Sequence, residues 1–301
     1  MQFYTVSLLF KKIRDMKKMM KIAAMLLVVV TTTNAVAQEM PQPSPAAKVE
    51  QRIGLTDVTV EYSRPSVKGR EIWGALEAYD VVWRAGANAN TLITFSDDVS
   101  IEGEELKAGT YSFFITPAKG AWKVMFNTVV DGWGTGNYDV KNDALTLKVK
   151  PTNTELQESL SYRIENLTKN TGTLVFSWGK VALRMVIEVK VEVKAWKNIE
   201  TALAEATEKT KSKVLRNGAK YTVTTGSRLN EGLVWINESI QTEEFWYSYW
   251  VKADVQHAMG DNKGAVASIN KAIELGETGA QESGKPFGYK EKLEKAIAEY
   301  K

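Results

Sequence analysis

A chain of 301 residues, 44% hydrophobic and 25% charged, holds enough apolar material for two modest cores and is too apolar to be disordered over most of its length. It has no cysteine and a single histidine, His257. That excludes disulfides, thiolate nucleophiles, Cys-ligated zinc and multi-histidine metal sites, and it leaves Ser-His catalysis only with His257 as the base. The formal charge of +3 comes from the first residues, where Lys11, Lys12, Arg14, Lys17, Lys18 and Lys21 face only Asp15. Without that surplus of five the remainder carries −2, so neither nucleic acid nor an anionic membrane is expected as a partner.

Lys17, Lys18 and Lys21 lead into the apolar run Ile22 to Val30, followed by Thr31 to Asn34 and Ala35-Val36-Ala37. This is the layout of a signal peptide over residues 1–37, cleaved after Ala37, and it predicts an exported protein, periplasmic or secreted. No Cys follows to anchor a lipid, and nine apolar residues fall short of the roughly 20 that span a bilayer, so no transmembrane segment is expected after cleavage. Residues 1–15 exceed a normal n-region, and Met16, Met19 or Met20 would give a more typical start. Pro41, Pro43 and Pro45 make residues 38–47 an extended, Pro-rich linker.

Residues 48–190 read with period two. Val58, Val60 and Tyr62 alternate with Thr59, Glu61 and Ser63, and the pattern recurs at Leu92 to Phe95 and at Tyr111, Phe113 and Ile115. It continues through Trp122, Val124 and Phe126, Leu145 to Val149, Leu160 to Ile164, Leu174 to Trp178 and Leu183 to Ile187. Turn signals stand at Glu102-Gly103, Pro117 to Gly120 and Gly179-Lys180. Many short strands without intervening helices predict an antiparallel β-sandwich.

From 195 to 301 the period is helical, beginning with Ile199, Leu203, Ala206, Thr210 and Val214. A shift of 34 residues, the tetratricopeptide period, aligns Leu215 with Tyr249, Ala219 with Ala253, Gly226 with Gly260 and Trp235 with Ile269. The second copy fits better, with Ala253, Gly260, Ala265, Ile269 and Ala272. The first carries Glu231 in place of Ala265 and poor helix formers at Thr222 to Thr225. Tyr289 to Lys301, amphipathic through Leu293, Ile297 and Tyr300, would cap the stack. The expected fold is thus multidomain β plus α, an antiparallel β-sandwich followed by a small tetratricopeptide-like α-helical domain.

The strand region also resembles a family of exported bacterial proteins known as domain of unknown function 2911. The resemblance rests on Gln51-Arg52-Ile53-Gly54, Val60-Glu61-Tyr62-Ser63-Arg64-Pro65 with Lys68-Gly69-Arg70, Val82-Trp83-Arg84-Ala85-Gly86-Ala87-Asn88, and Ala108-Gly109-Thr110-Tyr111. It covers about residues 46–190, with Ala85 where the family usually has Thr. It implies the fold and export, with a tetratricopeptide-like tail familiar in such proteins, and no activity.

Two polar loops, Ser63 to Arg70 and Trp83 to Thr91, offer Arg64, Lys68, Arg70, Trp83, Arg84, Asn88 and Asn90 as a ligand-binding set for an anionic or sugar ligand. Guanidinium groups grip carboxylates, and an indole stacks on an apolar face. The competing reading makes Trp83 core, pairs Arg64 and Arg84 with Glu71 or Asp80, and leaves the asparagines to turns. The Gly-rich loop Asp131 to Asp139 fits neither an EF-hand nor a P-loop and reads as a mobile loop flanking the binding face. Phe245 to Trp250 reads as hairpin packing, with Tyr247 the most exposed, and His257 as a helix-end surface group. No catalytic residue, metal ligand or cofactor is assigned. The expected function is a non-catalytic binding or assembly protein, with a peptide or protein partner on the helical domain. The alternative is a glycan hydrolase using carboxylates among Asp97, Asp98, Glu102, Glu104 and Glu105.

Overall fold

The computed structural model describes residues 16–18 and 40–300. Apart from Met16–Lys18, the expected leader and its cleavage point lie outside the described residues. Residues from Ser44 onward form one compact unit.

Among the described residues, ten strands fold into two antiparallel sheets. Strands β1 (Ala46–Ile53), β2 (Thr56–Ser63), β3 (Leu92–Phe95), β6 (Gly109–Thr116), β7 (Trp122–Asn127) and β8 (Asp143–Val149) form one sheet in the order β1-β2-β3-β6-β7-β8. Strands β4 (Val99–Ile101), β5 (Glu104–Leu106), β9 (Thr152–Glu165) and β10 (Thr171–Val189) form the other in the order β5-β4-β10-β9. The alternating residues of the period-two pattern face inward. Val58, Val60, Ile93, Phe113, Val124, Phe126, Leu174, Phe176, Leu183 and Ile187 are all fully buried in one shared core. Glu102 and Gly103 have φ of 53° and 86°, the paired positive values of a type I′ hairpin joining β4 to β5.

Two expectations are corrected. Gly179-Lys180 is not a turn: β10 runs through it, with a bulge at Gly179 (φ 60°) where its pairing with β9 shifts register. The helical period from Ile199 to Val214 is also not continuous. Helix α1 (Val191–Ala204) ends, and α2 (Lys211–Thr225) begins only after a turn in which the Thr207 amide donates to the Thr210 hydroxyl at 2.9 Å.

Helix α1 starts inside the sandwich. Val191 is buried in its core, and Lys194 Nζ donates to Leu55 O at 2.7 Å and pairs with Asp97 at 2.6 Å. Beyond α2 come α3 (Leu229–Thr242), α4 (Trp246–Ala258), α5 (Asn262–Ser283) and α6 (Lys290–Tyr300). Helices α2 and α3 form one hairpin and α4 and α5 a second, with α6 against α5. Gly226 and Gly260 follow α2 and α4 with φ of 65° and 83°, and Ala219 and Ala253 are fully buried. The second helices match at a different spacing. Gly232, Ile236 and Ser239 take the buried positions held by Ala265, Ile269 and Ala272, a shift of 33, while Glu231 is exposed and Trp235 only half-buried. Gly232 needs its missing side chain: a Cβ there would lie 2.3 Å from Thr222 Oγ1 across the hairpin.

Candidate functional site

Most of the seven residues of the proposed sandwich site bond to the fold itself, and of their charged groups Arg70 and Arg84 both lie near Glu77. Segment Ser63 to Arg70 lies along the outer edge of β9, where the Val67 amide donates to Glu158 O at 2.8 Å and the Leu160 amide to Pro65 O at 2.9 Å. Arg64 Nε donates to Leu160 O at 2.9 Å, the Lys68 amide donates to the Glu158 carboxylate at 2.9 Å, and Arg70 donates to the carbonyls of Val67 and Ser66. These polar groups satisfy a sheet edge that would otherwise be open to pairing.

Trp83 is core. It is 5% exposed and stacks on Trp178 with centroids 5.5 Å apart, within a cluster that includes Trp73 and Phe176. Arg84 is half-buried, with its Nε enclosed and unpartnered, and it faces Glu77 rather than Glu71 or Asp80. Asn88, at φ 59°, donates to Ser44 O at 3.1 Å and Ser63 Oγ at 3.3 Å. Asn90 is buried, donates to Ser112 Oγ at 3.0 Å, and its backbone amide holds Gly132 O at 3.1 Å. Asn90 thereby anchors the Gly-rich loop, whose Trp133 is 73% exposed. Asn90 lines a shallow groove of ≈480 Å³ beside Ala46, Tyr62 and Leu92.

Four of the five carboxylates of the hydrolase alternative, Asp97, Asp98, Glu102 and Glu105, have partners within the fold. Asp98 is held by Lys107 and the Ala108 amide, and Glu105 by Lys190, and each partner lowers the carboxyl below its ordinary range. Burial pushes Asp97 up, but hydrogen bonds from Lys194 and Ser96 outweigh it and its pKa is lowered. Glu102 accepts from the Val186 amide. A general acid needs the opposite shift. No group of three or more potential metal ligands occurs among the described residues, and no helix among them is long and apolar enough to cross a membrane. His257, exposed at the end of α4, stacks on Tyr300 at 4.2 Å and meets Asn262 Oδ1 at 2.8 Å.

The helical half contains a built cavity of ≈560 Å³. Its walls come from three alternate elements: Lys220 of α2, then Trp246, Tyr247, Trp250 and Asp254 of α4 with Phe245 before it, and Tyr289 with Lys292 at the start of α6. Helical spacing turns Trp246, Trp250 and Asp254 to one side of α4. Gly276 positions the far wall, because a Cβ there would lie 2.2 Å from the Phe287 ring. Without that side chain Phe287 lies against α5, edge-on to Trp246 at 5.0 Å, and Tyr289 is brought to 5.0 Å from Trp246.

The expectation that this aromatic segment packs the hairpins therefore captures half its role. Trp246, Tyr249 and Trp250 flank the Ala253, Ala265 and Ala272 core, yet all the rings from Phe245 to Trp250 remain partly exposed, and Tyr247 does not stand out. Lys220 Nζ lies 5.4 Å from the Tyr247 ring and bonds its hydroxyl at 2.7 Å, Lys292 Nζ lies 5.0 Å from the Trp250 ring, and the Arg216 guanidinium lies 5.0 Å from the Phe245 ring. Asp254 is pushed up by burial, against a hydrogen bond from the Tyr300 hydroxyl. Periodicity flagged the aromatic run. Lys220 and Lys292, 72 positions apart in sequence, carried no signal.

Residues 44–187 match the family model described as Protein of unknown function (DUF2911), which covers the sandwich to within two residues of the end of β10 and stops short of the helices. No curated protein and no solved structure matches the chain.

Proposed function

We propose that this is an exported, non-catalytic binding or assembly protein whose helical half is tetratricopeptide-like and receives an extended peptide segment of a partner. The observation that carries the reading is the aromatic cavity, which draws its walls from α2, α4 and α6, the first helices of two hairpins and the helix that follows them. Stacked hairpins create a continuous groove along such helices, and partly exposed rings are the anchors that bury most area per residue on binding. The equivalent burial of Gly232, Ile236, Ser239 and Ala265, Ile269, Ala272 supports the repeat. The sandwich serves as the rigid base to which α1 is fixed through Val191 and Lys194.

Random-peptide display on the purified protein, as processed by its host, tests this. Peptides enriched by wild type should lose binding at least tenfold to Trp250→Ala, the typical loss for an aromatic anchor. Retention of full binding by that variant would place the groove elsewhere, and failure to enrich any peptide would remove the reading.

A further inference from the structure

The chemistry of the cavity narrows what the groove takes, on the footing of the reading just given. Three cations stand around it: Lys220, Lys292 and Arg216. None forms an ion pair with a carboxylate among the described residues. Arg216 donates to Ser248 Oγ at 3.1 Å, Lys220 to the Tyr247 hydroxyl, and Lys292 lies over Trp250. Elsewhere in the helical half, lysines do find acids: Lys211 pairs with Glu238 at 2.7 Å, Lys271 with Glu274 at 2.8 Å and Lys290 with Glu277. The one acid in the cavity is Asp254, which Lys220 reaches electrostatically without contact and which already accepts the Tyr300 hydroxyl. Burial disfavours its charged form, so it offsets the three cations incompletely. The cavity is therefore apolar in its walls and positive at its mouth.

We propose that it binds a peptide group in which a carboxylate stands next to an aromatic or large apolar side chain, with the side chain against Trp246 and Tyr289 and the carboxylate at Lys220 and Lys292. The volume of ≈560 Å³ falls within the about 300–1,000 Å³ of small-ligand pockets, enough for one such side chain and its neighbouring backbone. A cationic group would meet the two lysines and lose the charge-assisted hydrogen bonds that a carboxylate gains. The carboxylate has two sources, a chain terminus or an acidic side chain.

Four unlabelled peptides with acetylated N-termini, read by isothermal titration calorimetry, separate these outcomes. They are Gly-Ser-Gly-Leu-Phe with a free C-terminus, the same peptide as its amide, an amidated Gly-Ser-Glu-Phe-Gly, and an amidated Gly-Ser-Lys-Phe-Gly. The free acid, the Glu peptide or both should bind, while the neutral amide and the Lys peptide bind at least tenfold more weakly. Binding should weaken with salt. A preference for the free acid assigns a terminus, and a preference for the Glu peptide an internal acid. Lys220→Gln with Lys292→Gln should reduce binding of the preferred peptide by roughly tenfold or more while leaving melting unchanged, since both residues are exposed and neither forms an ion pair among the described residues. Equal or tighter binding of the Lys peptide, or no loss in the double variant, overturns the proposal. If displayed peptides that lack acids bind through Trp250, the groove stands and only the carboxylate falls. If no peptide binds, both fall.

Discussion

Glu77 lies in the turn of Ile72 to Glu77, where its amide donates to Ile72 O at 2.8 Å and its carbonyl accepts from Gly74 at 2.8 Å, beside Trp73 and the tryptophan cluster. Burial raises its carboxyl from 4.5 to about 7, against the opposing fields of Arg84 and Arg70. The folded protein thus holds a proton between pH 4.5 and about 7 that the unfolded chain releases. The stability that Glu77 contributes is fully present below pH 4.5 and is lost as pH rises through about 7. At about 1.4 kcal/mol per pH unit the full interval is worth about 3 kcal/mol, reduced to about 2 kcal/mol for a partly exposed side chain. Glu77→Gln is neutral throughout. It should match wild type near pH 4.5 and exceed it by about 2 kcal/mol at pH 8 in urea unfolding followed by tryptophan fluorescence. Titrations common to both proteins cancel in the difference. A difference that is flat from pH 5 to 8, or a variant less stable than wild type at pH 8, would refute the reasoning.

Gly232→Val should push α3 away from Thr222 and destabilise the helical half by roughly 1–3 kcal/mol, measured by the loss of helical signal in denaturant. The same measurement on Val234→Ala, at an exposed position, should move less than about 0.5 kcal/mol, and equal effects would contradict the 33-residue register. N-terminal sequencing of protein from the host's periplasm or medium should begin at Gln38, and intact Met1 or Met16 in the membrane fraction would defeat the export reading.

The sandwich was legible because the core-facing residues of its strands, such as Val58, Val60, Phe113, Val124 and Ile187, are apolar and recur at every second position, so period two survives in the sequence even where a strand such as β6 is buried on both faces. Strand β1 was not read. It is an edge strand in which only Ile53 is buried and only Ala47 and Val49 join it at the core, so its alternation carries little hydrophobic contrast. Gly179 gives a turn signal although it sits in a bulge, because glycine marks bulges and turns alike and only the pairing of β10 with β9 distinguishes them. The break after Ala204 carries little sequence signal because it uses Thr207 and Thr210 rather than Gly or Pro. Glu77 was invisible for a different reason: its environment is set by Trp73, Arg70 and Arg84, which only the tertiary fold brings near.

The two candidate sites differ in a way that residue types alone do not express. In the sandwich, Arg64 and Arg70 point at carbonyls of a strand edge and its own loop, and Asn88 and Asn90 tie segments together. The bonds these side chains make serve the fold, so a ligand that took over those donors would compete with structure. In the helical half, Lys220 and Lys292 lie over rings instead of pairing with acids, and those rings are only half covered. A cation over an exposed indole keeps most of its hydration and its ability to donate, and so it stays available to an incoming anion at little cost to stability. The same contrast explains why α4 carries four aromatic residues in its first five when two would close the hairpin core: Trp246 and Trp250 serve the core and the cavity together, and Tyr247 adds the contact that positions Lys220. Removing the Tyr247 hydroxyl should therefore free Lys220 without disturbing Ala253, Ala265 or Ala272, which makes the arrangement of the cavity mouth separable from the packing beneath it.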